Sequence, residues 1–264
     1  MKMSQPALFI SHGSPGIALM PEDPTYMFLC HLARSLPVPD AVILFSAHWR
    51  SDQILISAAD PQTTIHDFRG FDPRLYAMKY EPPGQPDLAS EIALRLQKVD
   101  EKTMLVNDRG LDHGAWIPLM LMYPEATIPV IQVSIQPGMS PRFHYDIGVA
   151  LSTLKQKNIL IIGSGGMTHN LREASFNDYN ALPPQWVSSF SEWMKKRLEA
   201  GEKETVLDYR ERCPYARENH PTEEHLLPLF VAMGAGGDGK GHRIHTAAMY
   251  GTVMTDAYEF TTDQ

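Results

Sequence analysis

Three histidines of this chain follow apolar runs that have the length of buried strands. His12 follows ALFIS, His48 follows AVILFSA, and His169 follows ILIIGSGGMT. A fourth, His225 in PTEEHLLPL, is expected to face inward or a cleft edge from a helix that begins at Thr222. A neutral imidazole offers one donor nitrogen, and three of them suit divalent zinc, iron or copper. The repeated placement predicts a catalytic metal site with open coordination positions.

Three other histidines are predicted to lie at a helix start, at a pocket rim and in a loop. His113, in LDHGAW, opens a predicted helix that Asp112 precedes as N-cap. His66, in TTIHDFRGF, is expected at the rim of a pocket, whereas His220 is expected in an exposed loop. Any one such residue is more often a hydrogen-bonded loop histidine than a ligand, and the chain has no compact HExxH spacing. The metal prediction therefore depends on several histidines meeting in one place.

Competing motifs have weaker support. GSGG follows an apolar run, but neither the Lys-Ser/Thr pair of a phosphate loop nor GxGxxG accompanies it. The serines of SHGSP lie beside a histidine, yet no GxSxG elbow is present. Cys30 and Cys213 lack the sequence context of a nucleophile. Phosphate binding and covalent hydrolysis are accordingly disfavoured.

Short apolar runs alternate with segments of helical character along the chain. Continuous rather than alternating apolarity is typical of strands covered on both faces, and the alternation predicts a layered α/β fold. The carboxyl ends of such strands form the edge where ligands bind. The tail 245–260 is expected to close the sheet antiparallel. The predicted strands are 7–10, 41–45, 54–57, 128–135 and 159–163, and the predicted helices are 25–36, 87–99, 113–123, 142–157 and 186–201.

Composition restricts the class of protein. The chain has 264 residues and a net charge of −8, and no Lys/Arg run stands out, which argues against nucleic acid or an anionic membrane as partner. No stretch approaches the ~18 apolar residues of a membrane span, and the apolar run before Ser11 is too short for a signal peptide. Two distant cysteines fit a reducing compartment. We expect one cytoplasmic domain, residues 1–264.

Six motifs in this order resemble those of the class III extradiol ring-cleavage dioxygenases, on the branch similar to DOPA extradiol dioxygenases. The resemblance spans nearly the whole chain. It implies a three-layer α/β fold, with helices on both faces of a mostly parallel or mixed sheet and a mononuclear metal at the carboxyl edge. The motifs are SHGSP (11–15), SAHW (46–49), TIHDFRGF (64–71), LDHGAW (111–116), THN (168–170) and PTEEHLLPL (221–229).

The resemblance also implies roles for single residues. His12, His48 and His225 would bind the metal, one divalent ion per chain, with Fe(II) for activity or Zn(II) as an occupant. His169 would be the acid/base, close enough to act as a fourth ligand in a zinc form. His113 would lie near substrate and dioxygen. Many class III enzymes use a carboxylate as third ligand, which makes Glu224 the alternative to His225, and this chain has PTEEH where relatives read PTPEH.

The implied reaction is cleavage of a catechol, such as a DOPA-like substrate, by dioxygen. His66, Phe68 and Phe71 are the expected substrate-binding residues, with Tyr179 and Trp186 as further candidates for the pocket wall. Arg172 is expected to be a solvated loop residue, with contact to an anionic substituent as the alternative. A metal-binding interaction protein and a zinc hydrolase remain competing hypotheses, and the oligomeric state is open.

Overall fold

The computed structural model describes residues 4–237 and 239–261. Within them, the strands that the sequence predicts at its apolar runs are present, and further short strands follow in the tail. The strands are β1 (Ala7–Ser11), β2 (Ala41–Arg50), β3 (Leu55–Ser57), β4 (Met104–Val106), β5 (Val130–Ile135), β6 (Ile159–Gly165), β7 (His242–His245), β8 (Ala248–Met249), β9 (Val253–Met254) and β10 (Ala257–Phe260).

The helices agree closely with the predicted ones, although the segment 142–157 is divided into an α-helix and a 3-10 helix. None of the helices in the described ranges is both long and apolar enough to cross a membrane. The α-helices are α1 (Pro24–Ser35), α2 (Pro73–Ala77), α3 (Pro86–Leu96), α4 (His113–Met122), α5 (Pro141–Leu151), α6 (Gln185–Glu199), α7 (Lys203–Leu207), α8 (Tyr209–Arg212), α9 (Ala216–Asn219) and α10 (Leu227–Gly236), and the 3-10 helices are Pro15–Leu19 and Ser152–Lys157.

Eight strands form one mixed sheet in the order β4-β3-β5-β2-β6-β1-β10-β7. The four central strands β5, β2, β6 and β1 are mutually parallel, with Ser46 opposite Ser164 and Ser11 opposite Gly165. Their carboxyl ends therefore meet at one edge of the sheet. Strand β10 pairs antiparallel with β1, which confirms the expected closure by the tail.

Helices cover both faces of this sheet. Successive residues of a strand point to opposite faces, and the two hydrophobic clusters follow that alternation: Phe9 and Ile43 belong to one, Leu8 and Val42 to the other. The first cluster includes buried residues of α3, α5, α6 and α10, and the second includes those of α1 and α4. The predicted three-layer α/β fold is confirmed.

A buried histidine away from the sheet edge makes stability depend on pH. In α5, His144 Nδ1 donates to the Ser140 carbonyl at 3.0 Å, and Nε2 accepts from the Gln136 N–H at 3.2 Å. Burial, opposed only in part by the bond to Ser140, lowers the pKa of His144 to about 4. The unfolded chain binds this proton below about pH 6.5, so the stabilisation is complete above that pH and is lost as the pH falls toward 4.

We expect this residue to remove about 2 kcal/mol of unfolding free energy between pH 7 and pH 5. In His144→Gln, an uncharged amide replaces the imidazole, so the loss of stability over the same interval should be smaller. Urea denaturation with a chelator present, at pH 5, 6 and 7, measures both slopes. Equal slopes for the two proteins would contradict the assignment.

Candidate metal centre and active-site cavity

Four of the predicted histidines converge at the carboxyl edge of the sheet. His12 directly follows β1, His48 lies inside β2, His113 is the first residue of α4, and His225 precedes α10. Ring centroids of His12 and His225 are each 4.9 Å from that of His48, and His113 is 3.9 Å from His48. Four segments far apart in sequence thus bring imidazoles into one cluster, of which the strand-end pattern predicts His12 and His48.

Hydrogen bonds determine which nitrogen of His12 faces the cluster. Ser164 Oγ donates to the Gly114 carbonyl at 2.5 Å, so its lone pair accepts from His12 Nδ1 at 2.9 Å. The proton of the neutral ring is thereby held on Nδ1. Nε2 of His12 is left as the lone-pair nitrogen, and it lies 3.0 Å from Nε2 of His48.

His225 lies in a turn, so the predicted helix start at Thr222 is wrong. The helix begins at Leu227. The carbonyl oxygen of His225 accepts from the Gly166 N–H at 2.8 Å instead of from a helical amide one turn later. A Cβ on Gly165 would lie 2.0 Å from that carbonyl oxygen, so only glycine allows the turn to lie against β6. This backbone contact places the His225 ring beside the other imidazoles.

The donor set fits a divalent metal ion. Both ring nitrogens of His225 are buried and have no hydrogen-bond partner among the described residues, a costly state unless something else binds them. Two nitrogens at right angles, each about 2.1 Å from one ion, are about 3.0 Å apart. That spacing matches the distance of 3.0 Å between the Nε2 atoms of His12 and His48. Potential ligand atoms of these three histidines lie within 4.8 Å of one another.

Asp67 is a site residue that the sequence patterns do not predict. The backbone N–H and Nδ1–H of His113 both donate to Asp67 Oδ1, at 2.9 and 3.0 Å, and Oδ2 lies 3.7 Å from His48 Nδ1. Burial opposes ionisation of Asp67, but the bonds from His113 outweigh it and lower the pKa to about 2. Asp67 therefore remains a carboxylate and holds the proton of His113 on Nδ1. Its place inside TIHDFRGF is the sequence signal that could have identified it.

His169 lies on the other side of His225. The two rings are stacked, with centroids 3.3 Å apart and planes 7° apart, and the backbone N–H of His169 donates to the Asn219 carbonyl at 3.0 Å. Burial lowers the pKa of His169 to about 4, although the negative charge of Glu224 raises it in part. The imidazole is therefore neutral near pH 7 and has a lone pair to accept a proton.

Two alternative clusters surround the central one. His48, Asp67 and His113 form one, and His169, Glu224 and His225 form the other. In the first, Asp67 and His113 already satisfy each other by hydrogen bonds. In the second, Glu224 Oε1 accepts from Thr222 Oγ1 at 2.9 Å and lies 3.5 Å from His225 Nδ1. The trio of His12, His48 and His225 has the donor atoms with fewest other partners.

Asp112 supports the cluster in a way that differs from the predicted N-cap. It precedes α4, but its side chain makes no capping bond. Instead, its carboxylate accepts from Ser46 Oγ at 2.6 Å, Gln132 Nε2 at 2.5 Å and Arg109 Nη2 at 3.1 Å. The side chain thus ties the start of α4 to β2 and β5, because a buried carboxylate needs several donors.

His220 also differs from its prediction, which was an exposed loop position. The residue is buried, and its Nε2 lies 2.8 Å from the Met167 carbonyl oxygen.

A cavity of about 540 Å³ opens above the histidines. Its walls are mostly apolar and aromatic, and Arg69, Ser14 and Tyr250 are the polar side chains among the lining residues other than histidine. The lining residues are His12, Gly13, Ser14, Pro15, His48, Phe68, Arg69, Gly70, Phe71, His113, His169, Leu171, Phe176, His225, Tyr250 and Val253.

The structure brings only part of the predicted substrate-binding set to this cavity. Phe68 and Phe71 line it, but His66 does not. Nε2 of His66 lies 3.0 Å from the Met78 carbonyl oxygen, and its ring packs against Phe68, which separates it from the cavity. Tyr179 instead donates to Asp23, and Trp186 packs against a hydrophobic cluster. Exposed Arg172 is likewise outside the cavity wall.

Gly114 offers a test of how closely the cluster is packed. A Cβ at this position would lie 2.6 Å from Ser46 Oγ, 3.0 Å from His48 Cδ2 and 3.1 Å from His12 Cε1. Gly114→Ala should therefore displace the imidazoles and weaken Zn(II) binding at least about tenfold, although alanine favours a helix. Competition with a chromophoric chelator measures the affinity.

Gly138→Ala is the matched control, because a Cβ there meets nothing within 4 Å. We expect its Zn(II) affinity to equal that of the unmodified protein. Unchanged affinity in Gly114→Ala, with an unchanged circular dichroism spectrum, would contradict the inferred packing.

Comparison with known proteins agrees with the geometry. Residues 7–261 match the family model described as the catalytic LigB subunit of aromatic ring-opening dioxygenase. The chain is 41% identical over 263 residues to a 4,5-DOPA dioxygenase extradiol of Beta vulgaris, covering 96% of this chain and 95% of that protein. A protein of the same name from Escherichia coli K12 is 36% identical over 234 residues, covering 87% and 84%.

A solved structure is similar over the same extent. The crystal structure of an uncharacterized protein from Escherichia coli K12 superimposes with a TM-score of 0.81 at 28% identity, covering 97% of this chain and 99% of that one. The family that the six motifs predict is confirmed by these matches. The chain belongs to the family of the catalytic LigB subunit of aromatic ring-opening dioxygenases, and is a member of its extradiol branch.

Proposed function

We propose that this protein is a mononuclear non-haem metal dioxygenase that opens the ring of a catechol, such as a DOPA-like substrate, with dioxygen. The observation that carries the proposal is the convergence of ring nitrogens of His12, His48 and His225 within 4.8 Å of one another, at the wall of an apolar cavity. Relatives named 4,5-DOPA dioxygenase extradiol support the substrate class. Family membership favours this function over an interaction protein or a zinc hydrolase.

His12, His48 and His225 would hold one divalent ion per chain. Bound Fe(II) supplies Lewis acidity toward a diol and electron transfer to dioxygen, whereas Zn(II) supplies the Lewis acidity alone. Ser164 keeps the proton of His12 on Nδ1, so that Nε2 remains available as a donor. We propose Fe(II) as the active metal because, unlike Zn(II), it can transfer electrons to dioxygen.

His169 and His113 would handle the protons of the diol. A neutral His169 at the cavity wall is suited to accept a hydroxyl proton from bound catechol. His113, whose Nδ1–H is held by Asp67, presents Nε2 as an acceptor for a second hydroxyl group of a bound catechol. Phe68 and Phe71 supply apolar faces that exclude water and pack against the aromatic ring.

We also propose that one catalytic domain spans residues 1–264, because both hydrophobic clusters pack on the same central sheet of the described residues. We further propose that the protein acts in the cytoplasm. Its support is the pair of free cysteines, Cys30 and Cys213, neither of which is in a disulfide.

The reaction is tested on protein reconstituted anaerobically with Fe(II), given catechol or L-DOPA and then air. We expect oxygen uptake equal to the catechol consumed and a yellow ring-opened product. The Zn(II) form is the matched control and should consume no oxygen, since zinc has no redox chemistry. A metal-loaded protein that takes up no oxygen with any of several catechols would contradict the proposal, and ester hydrolysis by the Zn(II) form would favour the hydrolase.

Two variants separate a ligand from an acid/base residue. His169→Ala should retain about one metal ion per chain and lose about a hundredfold or more in kcat, because proton transfer contributes factors of this order. His12→Ala should lose the metal itself. Metal content by mass spectrometry and oxygen uptake measure both effects. Equal loss of metal in the two variants would contradict the assigned role of His169.

A further inference from the structure

His220 is a buried imidazole outside both the metal cluster and the cavity wall. Its Nε2 donates to the Met167 carbonyl at 2.8 Å, since a carbonyl oxygen only accepts. Nδ1 is buried and has no hydrogen-bond partner among the described residues, which is costly. An apolar side chain would pack beside Phe190 without that cost. The bond to Met167 is therefore what a histidine contributes at this position.

His220 belongs to a short segment, residues 218–220, that supports the loop 167–170 carrying His169. Besides the bond from His220 to Met167, two backbone carbonyls of this supporting segment accept hydrogen bonds from the loop. These bonds run from the His169 N–H to Asn219 at 3.0 Å and from Asn170 Nδ2 to Glu218 at 2.6 Å. The loop is thus bonded to the supporting segment at both of its ends and at His169 itself.

The supporting segment is itself fixed to neighbouring helices. Asn219 Nδ2 donates to the carbonyls of Trp186 in α6 and Tyr215 before α9, at 3.0 and 2.9 Å. Arg210 of α8 donates to the His220 carbonyl at 2.5 Å. Asn219 and His220 are both fully buried. The segment therefore resists displacement, so the bond from His220 fixes the position of the loop.

The opposite side of the loop is held by the hydroxyl of Thr168. This buried group donates to the Thr252 carbonyl at 2.7 Å and accepts from the Met254 N–H at 2.8 Å. Ser11 Oγ, next to His12, accepts from the Met167 N–H at 2.9 Å. The loop thus lies between the supporting segment on one side and β1 with the β8–β9 hairpin on the other.

We propose that His220 and Thr168 are positioning residues that hold His169 at the cavity wall in the orientation that accepts a proton from the bound diol. The His169 ring stacks on that of His225 with centroids 3.3 Å apart, so a shift of the loop would move it off this contact. A displacement of about 1 Å can slow a reaction about a hundredfold. This proposal deepens the proposed function and rests on it for the role of His169.

Two variants of similar size separate the hydrogen bond from the packing of His220. In His220→Gln, the side-chain amide can still donate to the Met167 carbonyl, whereas methionine in His220→Met offers no donor. We expect the kcat of the Fe(II) form to fall at least about tenfold in His220→Met and less than about threefold in His220→Gln. Metal content and KM should stay unchanged in both, because neither the metal ligands nor the cavity wall is altered.

Thr168→Val and Thr168→Ser form an independent pair on the other side of the loop. Valine keeps the shape of threonine without the hydroxyl, and serine keeps the hydroxyl. We expect the valine variant to lose at least about tenfold in kcat and the serine variant less than about threefold. His144→Gln is the matched control, because it replaces another fully buried histidine far from the loop. Its kcat should not change.

Two further measurements show whether the effect passes through His169. The double variant His169→Ala/His220→Met should have the kcat of His169→Ala, because no ring remains to be positioned. 4-Nitrocatechol bound to the Zn(II) form gives a readout without turnover, since its absorption spectrum distinguishes the singly from the doubly ionised diol. At pH 7, the doubly ionised fraction should be smaller in His220→Met and Thr168→Val than in the unmodified protein and His220→Gln.

The outcomes separate this proposal from the dioxygenase reaction. Equal kcat in His220→Gln and His220→Met, or a further loss in the double variant, would overturn the positioning role. If His220→Met does not fold, an unchanged kcat in Thr168→Val would overturn it. If no Fe(II) form takes up oxygen, the proposed reaction fails, and the spectra of bound 4-nitrocatechol decide the positioning role: a difference between the Gln and Met variants supports it, and identical spectra overturn it.

Discussion

Several imidazoles that share one buried site stay neutral, and any ring nitrogen that no protein group satisfies needs another partner. Burial, followed by the proximity of the neighbouring histidines, holds the pKa values of His12, His48 and His225 well below their usual range. The rings are therefore neutral. Ser164 and Asp67 accept the protons of His12 and His113. Nitrogen lone pairs are left facing one small volume, and this arrangement suits a cation.

The fold serves that constraint through close backbone contacts at one edge of the sheet. Parallel pairing of β1, β6 and β2 aligns the residues that precede His12 and His48. Gly165 lets the turn with His225 lie on β6, and Gly114 lets the first turn of α4 approach both His12 and His48. Asp112 holds that first turn to the sheet through Ser46 and Gln132. The contacts that pack this edge of the sheet are thus also the contacts that position the imidazoles.

Local patterns predict the apolar strands, the alternation with helices and the placement of His12, His48 and His169, because each depends on residues adjacent in sequence. The start of α10 is not predicted, since the carbonyl of His225 is bonded to Gly166, far away in the chain. Asp67 was missed because its partner His113 is 46 residues away. His66 was misplaced because its ring contacts the Met78 carbonyl, 12 residues away, and local sequence does not reveal that partner. Tertiary contacts determine the start of this helix and the positions of these two side chains.

One ion bound to His12, His48 and His225 would satisfy the ring nitrogens that lack a protein partner. Anomalous diffraction at the iron edge, from crystals of the Fe(II)-loaded protein grown without oxygen, tests it most directly. We expect one peak per chain, about 2.0–2.2 Å from Nε2 of His12, Nε2 of His48 and a ring nitrogen of His225. A peak bound instead by His48, Asp67 and His113, or by His169, Glu224 and His225, would contradict it.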